Sequence, residues 1–389
     1  MSRDLLLVIL SLFTWGVGEG MFIYFQPLYL QQWGAAPLAI GAILGASGLA
    51  MALAQAPAGY LADRVGRRPM MWASWILGTL AAGVMAAAGN LGVFAFGLVV
   101  YGFTGFILAP MNAYISEARG RWSVGRAIAY TNASWQLGSV IGPFIGGYLG
   151  LHSGLRPVYF AGTALLGLST AIVLFIHPQP VHPETIEIRR SQILRDRRFL
   201  TFAAVMFFSV LALYLPQPLT ANFLQDQRGL SLAAIGQLGS LTSLGNVVLG
   251  FALGHLNPGW VLLLCQGFVA AFALLIWNGT GMAWYGLGSF MFGAYRLARS
   301  MTIGLARPLV PHNEIGLAYG VVETANSSAT MLAPVLAGWI YQQQPARVYP
   351  VSIALLGITF LASAWYLFAS PHAPARAAQP ADVEVFEIR

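Results

Sequence analysis

Twelve stretches of the chain are long and continuously apolar, at approximately 5–31, 37–62, 69–89, 92–117, 124–150, 156–177, 199–224, 231–255, 259–278, 282–305, 315–341 and 347–369. Each reaches the roughly 20 residues that an α-helix needs to cross a bilayer. They lack the alternation over about ten residues that marks outer-membrane strands, so the pattern predicts helices rather than a barrel. The first stretch follows Arg3 and opens on Leu5 to Leu10 in the manner of a signal peptide. It stays apolar well past that length and holds Glu19, and is read as a retained helix.

Polar side chains are costly in lipid and point at protein or at a wet cavity. Here they are unevenly shared. Glu19 and Gln26 lie on the first helix, Gln55 on the second, Asn112 on the fourth, and Asn132 and Gln136 on the fifth. The second half supplies Gln217, Asn246, Arg296, Arg299, Glu323 and Asn326 on its seventh, eighth, tenth and eleventh helices. The interiors of the third, sixth and twelfth hold no charged, Asn or Gln residue, and the ninth holds only Gln266. Those four helices are expected to face lipid, and the others to surround a cavity.

On the first helix Ser11, Trp15, Glu19, Phe22 and Gln26 recur at steps of three or four and form one face. Aromatic rings beside a carboxylate suit apolar or cationic molecules. Glu19 lies about 22 Å from the start of its helix at 1.5 Å per residue, well inside the membrane, and is read as a proton or substrate site. Arg299 and Glu323 fall at similar depth on neighbouring antiparallel helices, where an ion pair is expected. Arg296, one turn deeper, is a candidate for an anionic substrate group or for Glu19 across the cavity. The expected substrate cavity is thus Trp15, Phe22, Gln26, Asn112, Asn132, Gln136, Gln217, Asn246, Arg296 and Asn326.

The chain also repeats itself. Gln26-Pro27-Leu28 recurs as Gln217-Pro218-Leu219, and Gly142-Pro143 as Ala333-Pro334, both 191 residues on. Around the second helix of each half the offset is 195, aligning Gly41 with Gly236. The reading is an all-α membrane protein of twelve transmembrane helices in two pseudo-symmetric halves, 1–177 and 199–369, with a linker at 178–198 and a tail at 370–389. Parallel repeats of six helices are a transporter architecture.

Charge fixes an expected orientation. The net charge is +7, and all twenty basic residues are arginine. Fifteen of them, including Arg3, Arg64, Arg67, Arg68, Arg119, Arg121, Arg126 and Arg189, fall on one side if the N-terminus does, with only Arg156, Arg228 and Arg347 opposite. That bias puts both termini in the cytoplasm and argues against a nucleic-acid partner. A chain without lysine has no nucleotide-binding G-x-x-x-x-G-K-[ST] loop, so ATP does not drive it. Cys265 stands alone and the histidines lack ligand spacing, so neither a disulfide framework, a metal nor a cofactor is expected.

Charged residues are 8% of the chain, yet four fall within six positions in Gly59-Tyr60-Leu61-Ala62-Asp63-Arg64-Val65-Gly66-Arg67-Arg68. Small Gly59 lets two helices approach, Asp63 can end one and accept from the next, Gly66 turns the backbone, and Arg64, Arg67 and Arg68 meet phosphate head groups. The run resembles G-x-L-A-D-R-x-G-R-R, the loop signature of the Major Facilitator Superfamily. Gly138, Gly142-Pro143 and Gly146-Gly147 on the fifth helix resemble the G-x-x-x-G-P-x-x-G-G signature of its drug:H⁺ antiporters, where the segment is a hinge that seals the outer side. One departure stands out: the fourth-helix stretch Leu98-Val99-Val100-Tyr101-Gly102 lacks the arginine many of those antiporters carry.

The resemblance implies a secondary transporter that exports amphipathic or lipophilic small molecules in exchange for protons; without that arginine, Glu19 would have to carry the coupling alone or with Arg296. The transporter would work as a monomer in the inner membrane, with substrate, protons and lipids as its only partners. The charged run is kept in only one of the two halves, and from this Asp63 is expected to cap and lock the cytoplasmic side of the first half against the second in the outward-open state. A lipid or lysolipid flippase, or a carrier of small organic solutes, shares the same features. A membrane enzyme or receptor is disfavoured, since no G-x-S-x-G or histidine cluster is present.

Overall fold

The computed structural model describes residues 2–179, 196–310 and 314–369. Lipid offers the backbone no hydrogen-bond partner, so each apolar stretch closes its own ladder as a helix. The starts are capped by short polar side chains: Ser2 accepts from Leu5 N at 3.1 Å, Asn90 from Val93 N at 2.9 Å, and Ser231 from Ala234 N at 3.3 Å.

The first half runs through spans Arg3–Ile23, Pro37–Val65, Arg67–Ala87, Leu91–Ala118 (in three pieces), Val124–Ser153 and Leu155–Val173. The second runs through Arg197–Tyr214, Leu232–Leu253, Pro258–Asn278, Met282–Phe292 with Ala294–Ala306, Ile315–Gln343 and Val348–Ala364. Eight of these pass as membrane spans by length and hydropathy alone, and the bent fourth makes nine. The fifth, tenth and eleventh fall short because they carry the polar side chains or a break. The molecule is an all-α membrane protein of twelve spans. The linker from 180 to 195 and the tail from 370 lie outside the described residues.

Four spans, the first, fourth, seventh and tenth, differ from the uninterrupted helices the sequence predicts. The first breaks after Ile23, and Gln26–Gln32 forms a separate short helix with Pro27 in its first turn. The matching short helix of the second half, Thr220–Asp226, follows Pro216 and Pro218. The fourth bends by 42° before Pro110, which has no N–H to give the preceding turn. The tenth breaks at Gly293, which lies so close to the eighth that a Cβ would overlap the Asn246 nitrogen. Asp63 does not end the second helix, which continues to Val65; Gly66, at φ +94°, ends it.

The third and sixth spans pack on neighbours in the first half, the ninth and twelfth on neighbours in the second. A buried knot fixes the first half: the Trp75 indole donates to Ser11 Oγ at 2.8 Å, and Ser169 Oγ donates to the Ser11 carbonyl at 2.6 Å. The second half answers with Ser209, Ser363 and Gln266, whose amide donates to Ser363 Oγ at 3.4 Å. That accounts for the one amide in the interior of the ninth span.

The halves meet along two related seams, the second span against the eleventh and the eighth against the fifth. A Cβ on Gly41 would overlap the Pro334 carbonyl oxygen, and one on Gly236 would overlap that of Pro143. Both seams lie toward the end away from the arginine-rich loops. Beyond them the two short helices also meet: Asn222 donates to Gln31 and, at 3.2 Å, to the Pro27 carbonyl, while Gln31 donates to Asp226 at 2.8 Å. The molecule is closed at that end.

Candidate functional site

Glycine positions the site before any charge does. Gly16, Gly18 and Gly20 flank Glu19, and a Cβ at Gly16 would overlap the Trp135 carbonyl oxygen while one at Gly18 would stand 2.9 Å from that of Gly162. The fifth and sixth spans therefore close directly on the first. That approach brings Trp135 beside Glu19. The indole N–H donates to one carboxylate oxygen at 3.2 Å, and the Tyr101 hydroxyl donates to the other at 3.0 Å.

The face of the same indole carries the Arg296 guanidinium, 4.7 Å from the ring centroid. Arg296 belongs to the second half, so Trp135 is the bridge between a carboxylate of one half and a cation of the other. Glu19 and Arg296 lie within electrostatic reach but form no direct ion pair. Arg296 is exposed to the space between the halves.

The aromatic lining continues on both sides. Trp15 stacks on Tyr101 at 6.3 Å and tilts against Trp75 at 5.4 Å. Opposite, Tyr214 stacks on Tyr295 at 5.0 Å. The site's roof is polar: Asn246 donates to Gln136 at 2.5 Å and the Tyr24 and Ser243 hydroxyls are 3.2 Å apart, both contacts crossing between the halves. One turn beyond Arg296, Arg299 forms an ion pair with Glu323 and reaches Ser327 at 3.5 Å.

The residues expected in the cavity separate into groups. Glu19, Trp15, Gln136, Asn246 and Arg296 come together as described. Asn112 and Asn132 are exposed on their spans, Asn132 one turn from Gln136. Phe22 is not a cavity residue: it is fully buried between Tyr101 and Tyr159, at 5.7 and 5.2 Å. Asn326 is not one either; it is fully buried and donates to Thr302 Oγ1 at 2.9 Å, joining the tenth and eleventh spans. Gln26 is buried at the head of its short helix, and Gln217 sits in the matching break.

The fifth-span glycines expected to form a hinge divide between two partners. Gly138, Gly142 and Gly146 lie against the backbone of the first span, at Phe13, Val17 and Met21. Gly147 faces the other half instead, where a Cβ would stand 2.7 Å from the Leu232 carbonyl oxygen. Pro143 is wedged between Gly20 and Gly236. In the charged loop, Gly59 is helical and the side chain of Asp63 lies outside the described residues. Arg67 pairs with Glu117 and donates to the Ala113 carbonyl at 3.2 Å, and Arg68 stacks on Trp72 at 4.0 Å. Arg64 is exposed. The Arg67 and Arg68 contacts stay within the first half.

Sequence reasoning missed Tyr24, Tyr101, Trp135, Tyr214 and Tyr295. Only Tyr101 left a signal, since it stands in the stretch where an arginine was sought.

Comparison with known proteins agrees with this architecture. The family model of the Major Facilitator Superfamily matches residues 8–295 and 204–386. An uncharacterized MFS-type transporter of Methanocaldococcus jannaschii is 25% identical over 369 residues, covering 87% of this chain and 92% of that one. The multidrug resistance protein MdtG of Salmonella dublin is 28% identical over 201 residues, 50% of this chain and 49% of that protein. A variant of the nucleoside transporter NupG superimposes with a TM-score of 0.82 at 13% identity, over 93% of this chain and 99% of that one. The chain belongs to the Major Facilitator Superfamily. It is an integral membrane transporter and not an enzyme.

Proposed function

We propose that the protein is a proton-coupled exporter of amphipathic or lipophilic small molecules that works by alternating access in the cytoplasmic membrane. The arrangement at Glu19 carries the reading. A carboxylate at mid-membrane, gripped by Tyr101 and Trp135 and opposed by Arg296 from the other half, can exchange a proton while sensing how the halves sit. The arginine bias supports termini in the cytoplasm, which makes the closed end the extracellular one. Export is supported by the glycine–proline signature of the fifth span and by the similarity of half the chain to a protein named for multidrug resistance.

The test uses purified protein in liposomes loaded with a pH-sensitive dye. Adding an amphipathic substrate should move protons in the opposite direction, and Glu19→Gln should abolish that movement while uncharged ligands still bind. Wild-type proton movement in Glu19→Gln would remove Glu19 from the mechanism.

A further inference from the structure

Two opposite charges face the same cavity and are kept apart. Arg299 is already neutralised by Glu323, which leaves Arg296 as a cation with free capacity. A guanidinium has five N–H donors, and those of Arg296 have no acceptor among the described residues; its contact is the indole face of Trp135. Glu19 is in a similar position. A carboxylate accepts at about four sites, and Tyr101 and Trp135 use one on each oxygen. A cation and a carboxylate deep in a membrane protein ordinarily pair with each other. Here the edge of one tryptophan engages the carboxylate and its face engages the cation, and no direct pair forms.

We infer that the cavity is a template for an amphipathic zwitterion, whose cationic end meets Glu19 and whose anionic end meets Arg296. The rings around them, with Trp15, Tyr24 and Tyr214 half-buried and Tyr101 and Tyr295 stacked behind, suit an apolar or aromatic body. The inference rests on the transport reading above and names its substrate class. It also supplies the exchange. A substrate amine and a proton each neutralise the Glu19 carboxylate, so they compete for it. Arg296 keeps its charge throughout and holds the anionic end whichever of the two is bound at Glu19.

The probe is diphenylalanine in four capped forms that share one apolar body: the free zwitterion, its methyl ester (cation), its N-acetyl form (anion) and the doubly capped neutral form. Affinities are measured by calorimetry on the full-length protein in detergent at pH 7. The zwitterion should bind at least tenfold more tightly than either singly capped form. Arg296→Gln should erase the advantage of acid over ester and keep that of amine over acetyl amide. Glu19→Gln should do the reverse. An anion, cation or neutral form that matches the zwitterion on the wild-type protein overturns the inference, and that comparison needs no variant to fold. The two readings fail separately. Zwitterion preference without proton movement would sink the coupling and spare the substrate class; proton movement with no charge preference would do the opposite.

Discussion

Gly236 of the second half lies so close to Pro143 of the first that no side chain fits between them. Its repeat counterpart Gly41 meets Pro334 in the same way, so closure at this end is built twice from one contact. Gly236→Ala should force the seam apart, because the obstructing atom is a backbone carbonyl with nowhere to rotate. Paired cysteines, from Gln31→Cys and Asp226→Cys, would report it by cross-linking; Cys265 is buried and does not compete. Cross-linking yield should fall severalfold with Gly236→Ala. An unchanged yield would show that the seam absorbs a methyl group.

Gln31 and Asn222 stand 191 residues apart, the offset of the repeat, so their hydrogen bond joins equivalent positions of the two halves. Asn222 is buried and also holds the Pro27 carbonyl. A hydrogen bond is worth about 1 kcal/mol net. Asn222→Leu should therefore shift the population away from the closed-end state by about five- to tenfold. Spin-label distances across the short helices would measure it, and an identical distance distribution in the variant would deny the latch any role.

Arg299 and Glu323 form their ion pair with both side chains half-buried, at 22% and 31% exposure. Breaking a fully buried pair costs about 3–5 kcal/mol, and partial exposure reduces that to about 1–3 kcal/mol. Arg299→Gln and Glu323→Gln should each lower the melting temperature in detergent, and the double variant should recover part of the loss. Strict additivity in that cycle would mean the two side chains act independently.

What the sequence disclosed follows from cost. A charge in lipid is too expensive to be incidental, so Glu19, Arg296, Arg299 and Glu323 could be picked out by type and depth alone. Aromatic residues carry no such penalty, and nothing in the order of residues separates Trp135 or Tyr214 from the rings that merely pack. Phe22 shows the same limit from the other side. Its spacing from Glu19 places it on one helical face, but spacing cannot say whether that face meets a cavity or a neighbouring helix. Asn326 misleads because an amide can be satisfied by another span, here through Thr302. The break at Gly293 depends on what presses against the helix there, the backbone at Asn246, which only the assembled second half reveals.

Trp135 acts as a separator of two charges. Its edge holds Glu19 and its face holds Arg296, so the two charges attract without closing. Remove the ring, and both charges lose the partner they share. At an effective dielectric of about 20, two unit charges 4 Å apart attract by about 4 kcal/mol; water in the cavity weakens this, but about 1.4 kcal/mol already changes a population tenfold. Trp135→Ala should let the pair form directly and hold the halves together, so substrate binding weakens and turnover falls further still. Trp135→Phe keeps a face for the guanidinium and loses only the N–H, so its turnover should lie between alanine and wild type. Adding Glu19→Gln to Trp135→Ala should restore zwitterion-independent, neutral-ligand binding to the level of Glu19→Gln alone. Equal loss of turnover in the phenylalanine and alanine variants would assign the effect to the indole hydrogen bond and overturn the separator role.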